Sequence, residues 1–398
     1  MHSQIIIIGA GPIGLATAVG LVQKGVKVTI IEKAKELSNY PKASTIHPPT
    51  MEILNEWGLY QQIKEIGKII HKVQFWDRLK ENIISEFDYR MLSDITKFPF
   101  RLHLDQYYLS KIFYEYLLNN ELAEFRFNTE LMDLEQRNES VFIQVKSETG
   151  METLSSSYLI GADGLSSSVR KLSGISYDGY TNAGHHLLMG LKHYQLSNKY
   201  PGLGPVAMFL DENEWVDIIT NIDMLKVIVP VEKNQIDSIN DDFVHSKINE
   251  IGVVEEGYNL FYYTVYKTHQ LVAENMVKDR VIILGDAAHV NVEFGGMGMN
   301  SGIHDAYLLV DRLTSSDNYH AQRQALKDFE NRRLTINREF VQKSTKQNTS
   351  LIRSVEQQAI DLQKTSQNPF LSKEFLLRSS MLAGFRYMLD DSNFHINQ

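Results

Sequence analysis

The chain has 398 residues, 43% of them hydrophobic, which is more than one ordinary core absorbs, so two or more domains are expected. Forty basic and 49 acidic residues leave a formal charge of −9, which argues against nonspecific nucleic-acid binding. The absence of cysteine excludes disulfides, thiolate metal sites and thiol catalysis, and it fits a reducing, cytoplasmic setting.

Residues 5–14 read IIIIGAGPIG. The apolar, β-branched run is too short for a helix that packs alone and predicts a central strand, which breaks directly into Gly9, Gly11 and Gly14. Gly9 permits a tight turn, Gly11 lets backbone approach a pyrophosphate, and Gly14 lets the next helix lie close to the sheet. Pro12 and Ile13 open that helix, whose N-terminus offers N–H groups to phosphate. A turn at Gly25 and a second strand, VKVTII, lead to Glu32, placed to accept hydrogen bonds from ribose hydroxyls, with Lys33 beside it in the same site. The complete β-α-β unit predicts dinucleotide binding. Because the first strand starts at Ile5, no room is expected for a signal or transit peptide. No stretch approaches the ~20 apolar residues of a membrane span.

Further along, PKASTIHPPTMEILNEWGLY gives a loop and a short helix from about Thr50. Residues 70–90 read as strands and 104–118 as a long helix. Runs at 124–128, 130–136 and 140–146 suggest a hairpin-rich insert ending at Gly150. SSYLIGADG reads as a strand entering a glycine turn. Residues 185–232 are strand-like, 240–250 helical, and RVIIL at 280–284 is another buried strand stopped by Gly285 and Asp286; from about Gly298 the pattern is mostly helical. The expected fold is α/β: a doubly wound Rossmann-type domain from 1–70, 100–180 and 270–345, interrupted by a mainly β-sheet domain from 71–99 and 181–269. C-terminal helices over 346–398 close the chain. Ligands sit between two such domains.

Two later segments reinforce the first. GADGLSSSVRKLSGI carries Asp163, Gly164 and Arg170, and RVIILGDAAHVNVEFGGMGMNSGIHDA carries Gly285, Asp286, Gly296, Gly298, Met299 and Asn300. With GAGPIG they resemble, in order, three motifs of the class A flavoprotein monooxygenases, the family of para-hydroxybenzoate and phenol hydroxylases. The resemblance implies FAD as cofactor, NADH or NADPH as transient reductant, and O₂ as co-substrate. It implies hydroxylation of an aromatic or heteroaromatic small molecule through a C4a-hydroperoxyflavin. It also implies that Asp286 serves the ribityl-pyrophosphate end of FAD and that the glycine-dense stretch lies near the isoalloxazine ring. There, backbone N–H groups of Gly298, Met299 and Asn300 would stabilise the anionic reduced flavin. Lys42 stands where the family usually has arginine near the FAD phosphates, and supplies a point charge without a bidentate fork. Arg101 and Gln106 resemble cofactor-touching positions, or belong to a solvated helix start. Arg170 contacts FAD, helps the nicotinamide in transit, or makes a structural salt bridge. Where the family often has proline before the glycine-dense stretch, this chain has Val292, Glu293 and Phe294. Glu293 therefore faces the pocket, as a catalytic candidate, or points to water. The alternative readings are another flavin-dependent oxidoreductase of the same fold and a non-catalytic FAD-binding protein.

The remaining candidates are few. His47, in a cofactor-proximal loop, is a candidate proton carrier, and His289, beside Asp286, reads as a structural partner of the flavin loop. No metal site is expected. Met208, Leu210 and Trp215 suit an apolar substrate ring. No arginine lies between Arg170 and Arg280, which leans against a carboxylate clamp in the sheet segment. LSKEFLLRSSMLAGFRYML predicts an amphipathic helix, either packed on the core or lying on a membrane surface. A monomer or homodimer acting on a small aromatic substrate is expected.

Overall fold

The computed structural model describes residues 5–39, 43–137, 139–291, 295–316, 318–343 and 355–390. All four isoleucines of the strand Ile5–Ile8 are buried, which requires cover on both faces of the sheet. That strand lies inside a six-stranded sheet ordered Val277–Lys278, Val281–Ile283, Tyr158–Gly161, Ile5–Ile8, Val28–Ile31 and Ala123–Arg126. Every pairing is parallel except the first, a hairpin. Ile5 stands opposite both Tyr158 and Val28.

The helix Pro12–Gln23 packs on this sheet and on the helices Gln106–Leu118 and Met297–Leu313. A Cβ on Gly14 would stand 2.0 Å from the Gly9 carbonyl oxygen, so no larger residue fits where this helix leaves the strand. Gly20 performs the same service against the helix Met297–Leu313, where a Cβ would meet Val310 at 2.9 Å.

The expected hairpin insert divides differently. Ala123–Arg126 joins the edge of the parallel sheet, because its residues pair in register with Val28–Ile31. The antiparallel meander is Glu130–Arg137, Ser140–Ser147 and Gly150–Ser156, which buries Val141, Ile143 and Val145 in the same core.

A second sheet has eight strands, ordered His289–Val290, Asn259–Ala273, Tyr177–Lys192, Leu225–Val231, Val216–Thr220, Val206–Leu210, Lys72–Asp77 and Asn82–Asp88. It is antiparallel except where Val206–Leu210 runs alongside Lys72–Asp77. Tyr177–Lys192 and Asn259–Ala273 pair along nearly their whole lengths, with an irregularity between Thr181 and His185. A small three-stranded sheet, Thr45–Ile46, Arg101–His103 and Lys68–Ile70, stands apart from both.

At the C-terminus the predicted single amphipathic helix is two, Pro369–Ser379 and Leu382–Leu389, broken at Met381 with φ of 65°. Leu376 and Leu382, with Leu362 of Val355–Gln367, enter an apolar cluster with Ile70, Phe75, Phe87 and Tyr89. The ring of Phe375 stacks on Phe87 with centroids 4.1 Å apart. Burial of each such side chain is worth about 1.5–3 kcal/mol, which fixes these helices to the second sheet.

Candidate functional site

A cavity of about 790 Å³ opens between the carboxyl ends of the parallel strands and one face of the antiparallel sheet. Ile8, Ile31, Ala162 and Leu284, at or just past the ends of four strands, form its first wall. This is the crevice where open α/β sheets take ligands. Two helices begin there, at Gly11 and at Gly296. Neither has a side-chain cap or an acidic residue in its first turn. Their unopposed partial positive charges point to an anionic ligand. Gly296 has φ of 66°, and its Cβ position is occupied by Thr45 at 2.7 Å. By contrast, a Cβ on Gly11 or Gly298 would enter open space with nothing within 4 Å. The cavity is therefore open for close approach of a group at both helix starts. This arrangement fits a dinucleotide with a pyrophosphate and an electron-rich ring.

Two acidic residues of this wall, Glu32 and Asp163, are held largely by backbone N–H groups. Glu32 accepts from Ala10 N and Ala34 N, each at 2.8 Å. Asp163 accepts from Ser167 Oγ at 2.6 Å and from Ser168 N and Val169 N at 2.7 and 3.1 Å, which pins the short helix Ser168–Leu172 behind Gly164. Asp286 lines the cavity, and its carbonyl accepts from the Tyr177 hydroxyl at 3.0 Å. Gly9, Gly11, Pro12, Ile13, Glu32, Lys33, Arg101, Gln106, Asp163, Gly164, Asp286, Gly296, Gly298 and Met299 all lie on the wall; Gly14 and Gly285 lie directly behind it. Lys42 and Glu293 lie outside the described residues.

Several expectations are corrected. His47 is fully buried away from the wall, and its Nε2 donates to the Gly295 carbonyl at 2.7 Å. Burial, aided by the Arg101 charge, pulls its pKa well below the ordinary value, which favours the neutral ring, and its hydrogen bond ties it to the glycine-dense loop. Asn300 is likewise behind the wall. Its Oδ1 accepts from His47 N, and its Nδ2 donates to the Thr45 and Gly296 carbonyls, at 2.7–2.9 Å, so it ties the 43–47 loop to the helix start. Among the described residues Arg170 makes no salt bridge, and it does not line the cavity. Its guanidinium donates to the Ala287 and Leu165 carbonyls and lies 4.0 Å from the Tyr177 ring centroid. His289 pairs with Asp305 at 2.6 Å. Met208 lines the cavity. Leu210 is instead packed in the cluster with Phe75 and Leu376, and Trp215 lies against His186, next to wall residues Leu188 and Ile228.

Spacing gave no sign of two buried polar groupings. In the first, the fully buried Asp305 accepts from Gly285 N at 2.9 Å, His289 Nε2 at 2.6 Å and Arg333 Nε at 2.5 Å. Arg333 Nη2 also donates to the carbonyl and hydroxyl of Ser301. Burial raises the Asp305 carboxyl, but attraction to His289 and Arg333, with hydrogen bonds from His289 and Gly285, outweighs it and brings the pKa to about 2. In the second, the buried ammonium of Lys226 donates to Asp105 and Ser44, each at 2.5 Å, and Asn221 donates to the same Asp105 oxygen at 2.9 Å. Burial lowers the Lys226 pKa and Asp105 works against it. This joins the sheet floor to the 43–47 loop. Nearby, His103 donates from Nδ1 to the Thr220 carbonyl at 3.0 Å, and burial pulls its pKa to about 3.

The second wall carries an apolar patch beside a polar strip that includes Gln74, Asp217, Thr264, Lys267 and His269. Phe75, Leu188, Met208, Ile219 and Ile228 come from the antiparallel sheet, and Phe375 closes it from the C-terminal helices. Among the described residues, no group of three His, Asp or Glu side chains could hold a metal ion.

A family model described as an FAD binding domain matches residues 2–344. Among curated proteins the chain is similar to para-nitrophenol 4-monooxygenase of Pseudomonas sp. (strain WBC-3), 26% identical over 316 residues, which are 78% of this chain and 77% of that protein. It is also similar to 6-hydroxy-3-succinoylpyridine 3-monooxygenase of Pseudomonas putida (strain DSM 28022 / S16), 27% identical over 79% of each. The solved structure of p-nitrophenol 4-monooxygenase PnpA from Pseudomonas putida DLL-E4 superposes with a TM-score of 0.87 at 22% identity, covering 98% of this chain and all of that one, and so shares its fold. With an FAD-type cradle at two helix starts and a family match over most of its length, the chain belongs to the FAD binding domain family of class A aromatic flavin monooxygenases.

Proposed function

We propose that this protein is an FAD-dependent monooxygenase that uses NADH or NADPH and O₂ to hydroxylate an aromatic or heteroaromatic ring. The observation that carries the reading is the continuous cavity, which runs from two uncapped helix N-termini to the apolar patch of the sheet wall. Bound FAD would supply the redox and oxygen-activating chemistry. Gly11, Glu32 and Asp286 would hold its phosphate and ribose parts, and Gly298 with Met299 would face its ring. Phe75, Met208, Ile228 and Phe375 would orient the substrate ring and exclude water. The residues 71–99 and 181–269 would then contribute the substrate side and the parallel-sheet part the cofactor side. Among the described residues no helix is long and apolar enough to cross a membrane. The reading takes the protein to be cytoplasmic, as a monomer or homodimer.

The test is oxidation of NADH and NADPH by the FAD-loaded protein with a panel of hydroxyarenes under ¹⁸O₂. Product carrying one labelled oxygen is expected. Oxidised product without label would make the protein a dehydrogenase, and bound FAD that neither nucleotide reduces would make it a binding protein.

A further inference from the structure

Arg101 stands at the start of the strand Arg101–His103 and lines the cavity, yet it is only 8% exposed. Its Nε donates to the Tyr89 hydroxyl, and the guanidinium lies 5.1 Å from the Tyr89 ring centroid. Among the described residues the two Nη nitrogens make no hydrogen bond, and they are not enclosed. Among the described residues no carboxylate lies within 4.0 Å of them. A buried charge without a counter-ion is costly, so a guanidinium held this way is built to meet an anion that arrives from the cavity.

Its place in the cavity decides which anion. Tyr89 and Ile70, the strand partner of Arg101, both belong to the apolar cluster that includes Phe75 and Leu376. That cluster underlies the sheet wall and the C-terminal helices. The glycine turn at 9–14 belongs to the other core, around the parallel sheet, and so do Phe100 and Leu102 on either side of Arg101. The field of Arg101 is also felt at His47, which holds the Gly295 carbonyl. The guanidinium therefore sits between the glycine-dense loop and the apolar patch of the sheet wall. We propose that Arg101 is a specificity-determining residue: its two free Nη groups receive a planar two-oxygen anion, a carboxylate in the first instance, carried by the aromatic substrate. This rests on the proposed function and narrows its substrate class. The arginine-free stretch between Arg170 and Arg280 leans the other way, but the fold brings the fork in from outside the sheet segment. Tyr89 fixes its plane, which suits bidentate recognition.

The test titrates the FAD-loaded protein with hydroxybenzoic and hydroxyphenylpropanoic acids and with their primary amides, read by perturbation of the flavin absorbance. The amides keep shape and lose charge. At least one acid is expected to bind about tenfold or more tighter than its amide, the scale of a charge-assisted pair. Arg101→Gln is expected to bring acid and amide within about threefold of each other while FAD affinity changes less than about threefold. Acids that bind no tighter than amides in the wild type, or no acid binding below about 1 mM, would overturn the assignment whether or not the variant folds. So would a variant that keeps the preference, or one that loses FAD to the same degree as the acids, since Arg101 would then serve the cofactor. Tight acid binding without ¹⁸O incorporation would sink the proposed function alone; hydroxylation with no preference for acids would sink this inference alone.

Discussion

Asp305→Asn is expected to loosen the cofactor wall from behind. The carboxylate is wholly enclosed and holds three donors, from Gly285, His289 and Arg333. An amide of the same shape keeps one acceptor oxygen and removes the charge. Arg333, itself fully buried, is then left with Ser301 and the Met388 sulfur as its polar neighbours. Breaking a buried pair on one side costs about 3–5 kcal/mol. The depressed pKa of about 2 gives a smaller, independent figure, roughly 2 kcal/mol for the ionised form, so a loss of about 2–5 kcal/mol is expected. Gly285 N is also released, and Asp286 follows it in the chain, so FAD affinity is expected to fall by about tenfold or more. Urea unfolding of the holoprotein gives the first quantity and titration of the apoprotein with FAD the second. The double variant Asp305→Leu/Arg333→Met removes both charges and is expected to recover much of the stability, though not the hold on Gly285. The reasoning fails if Asp305→Asn unfolds within about 1 kcal/mol of wild type, or if the two single losses simply add in the double variant.

Gly11 and Gly14 predict opposite phenotypes. Gly11→Val puts a side chain into open cavity and is expected to leave the apoprotein folded, with its melting temperature nearly unchanged, while abolishing FAD uptake. Gly14→Ala collides with the Gly9 carbonyl and is expected to lower the melting temperature of the apoprotein itself. If both variants behave alike, the two roles are misassigned. His103 and His304 are both held neutral by burial, at about 3. An unfolded histidine protonates near pH 6.5, so between those values the unfolded chain binds more protons. Their contribution is complete above about pH 6.5 and is lost as pH falls toward 3, with a slope of up to ~1.4 kcal/mol per pH unit for each. His304→Gln is expected to flatten the fall of the urea midpoint on acidification, and an unchanged slope would contradict this.

What could be read from the sequence was local. The strand, three glycines, helix and Glu32 follow one another within a single β-α-β unit, and each was placed by neighbours a few residues away. The strand Asn259–Ala273 escaped because many of its residues are only half buried, so it shows no clean alternation. The polar groupings escaped for a different reason. Asp305 meets Arg333 from 28 residues away, and Lys226 meets Asp105 from 121. Nothing in either neighbourhood marks the pairing. Arg101 is a candidate in the sequence, but its dependence on Tyr89 and, among the described residues, its lack of a carboxylate partner are properties of packing.

The strand His289–Val290 begins three residues after Asp286 and is hydrogen-bonded to Leu271 and Val272 near the end of Asn259–Ala273. One ribbon of backbone thus lines the cavity in its middle, at Thr264 and from Tyr266 to His269, and ends as a splint on the segment that follows Asp286. A ligand that flexes this ribbon in its middle tugs on that end, so occupancy of the aromatic chamber should be legible in the rate at which the nucleotide lets go.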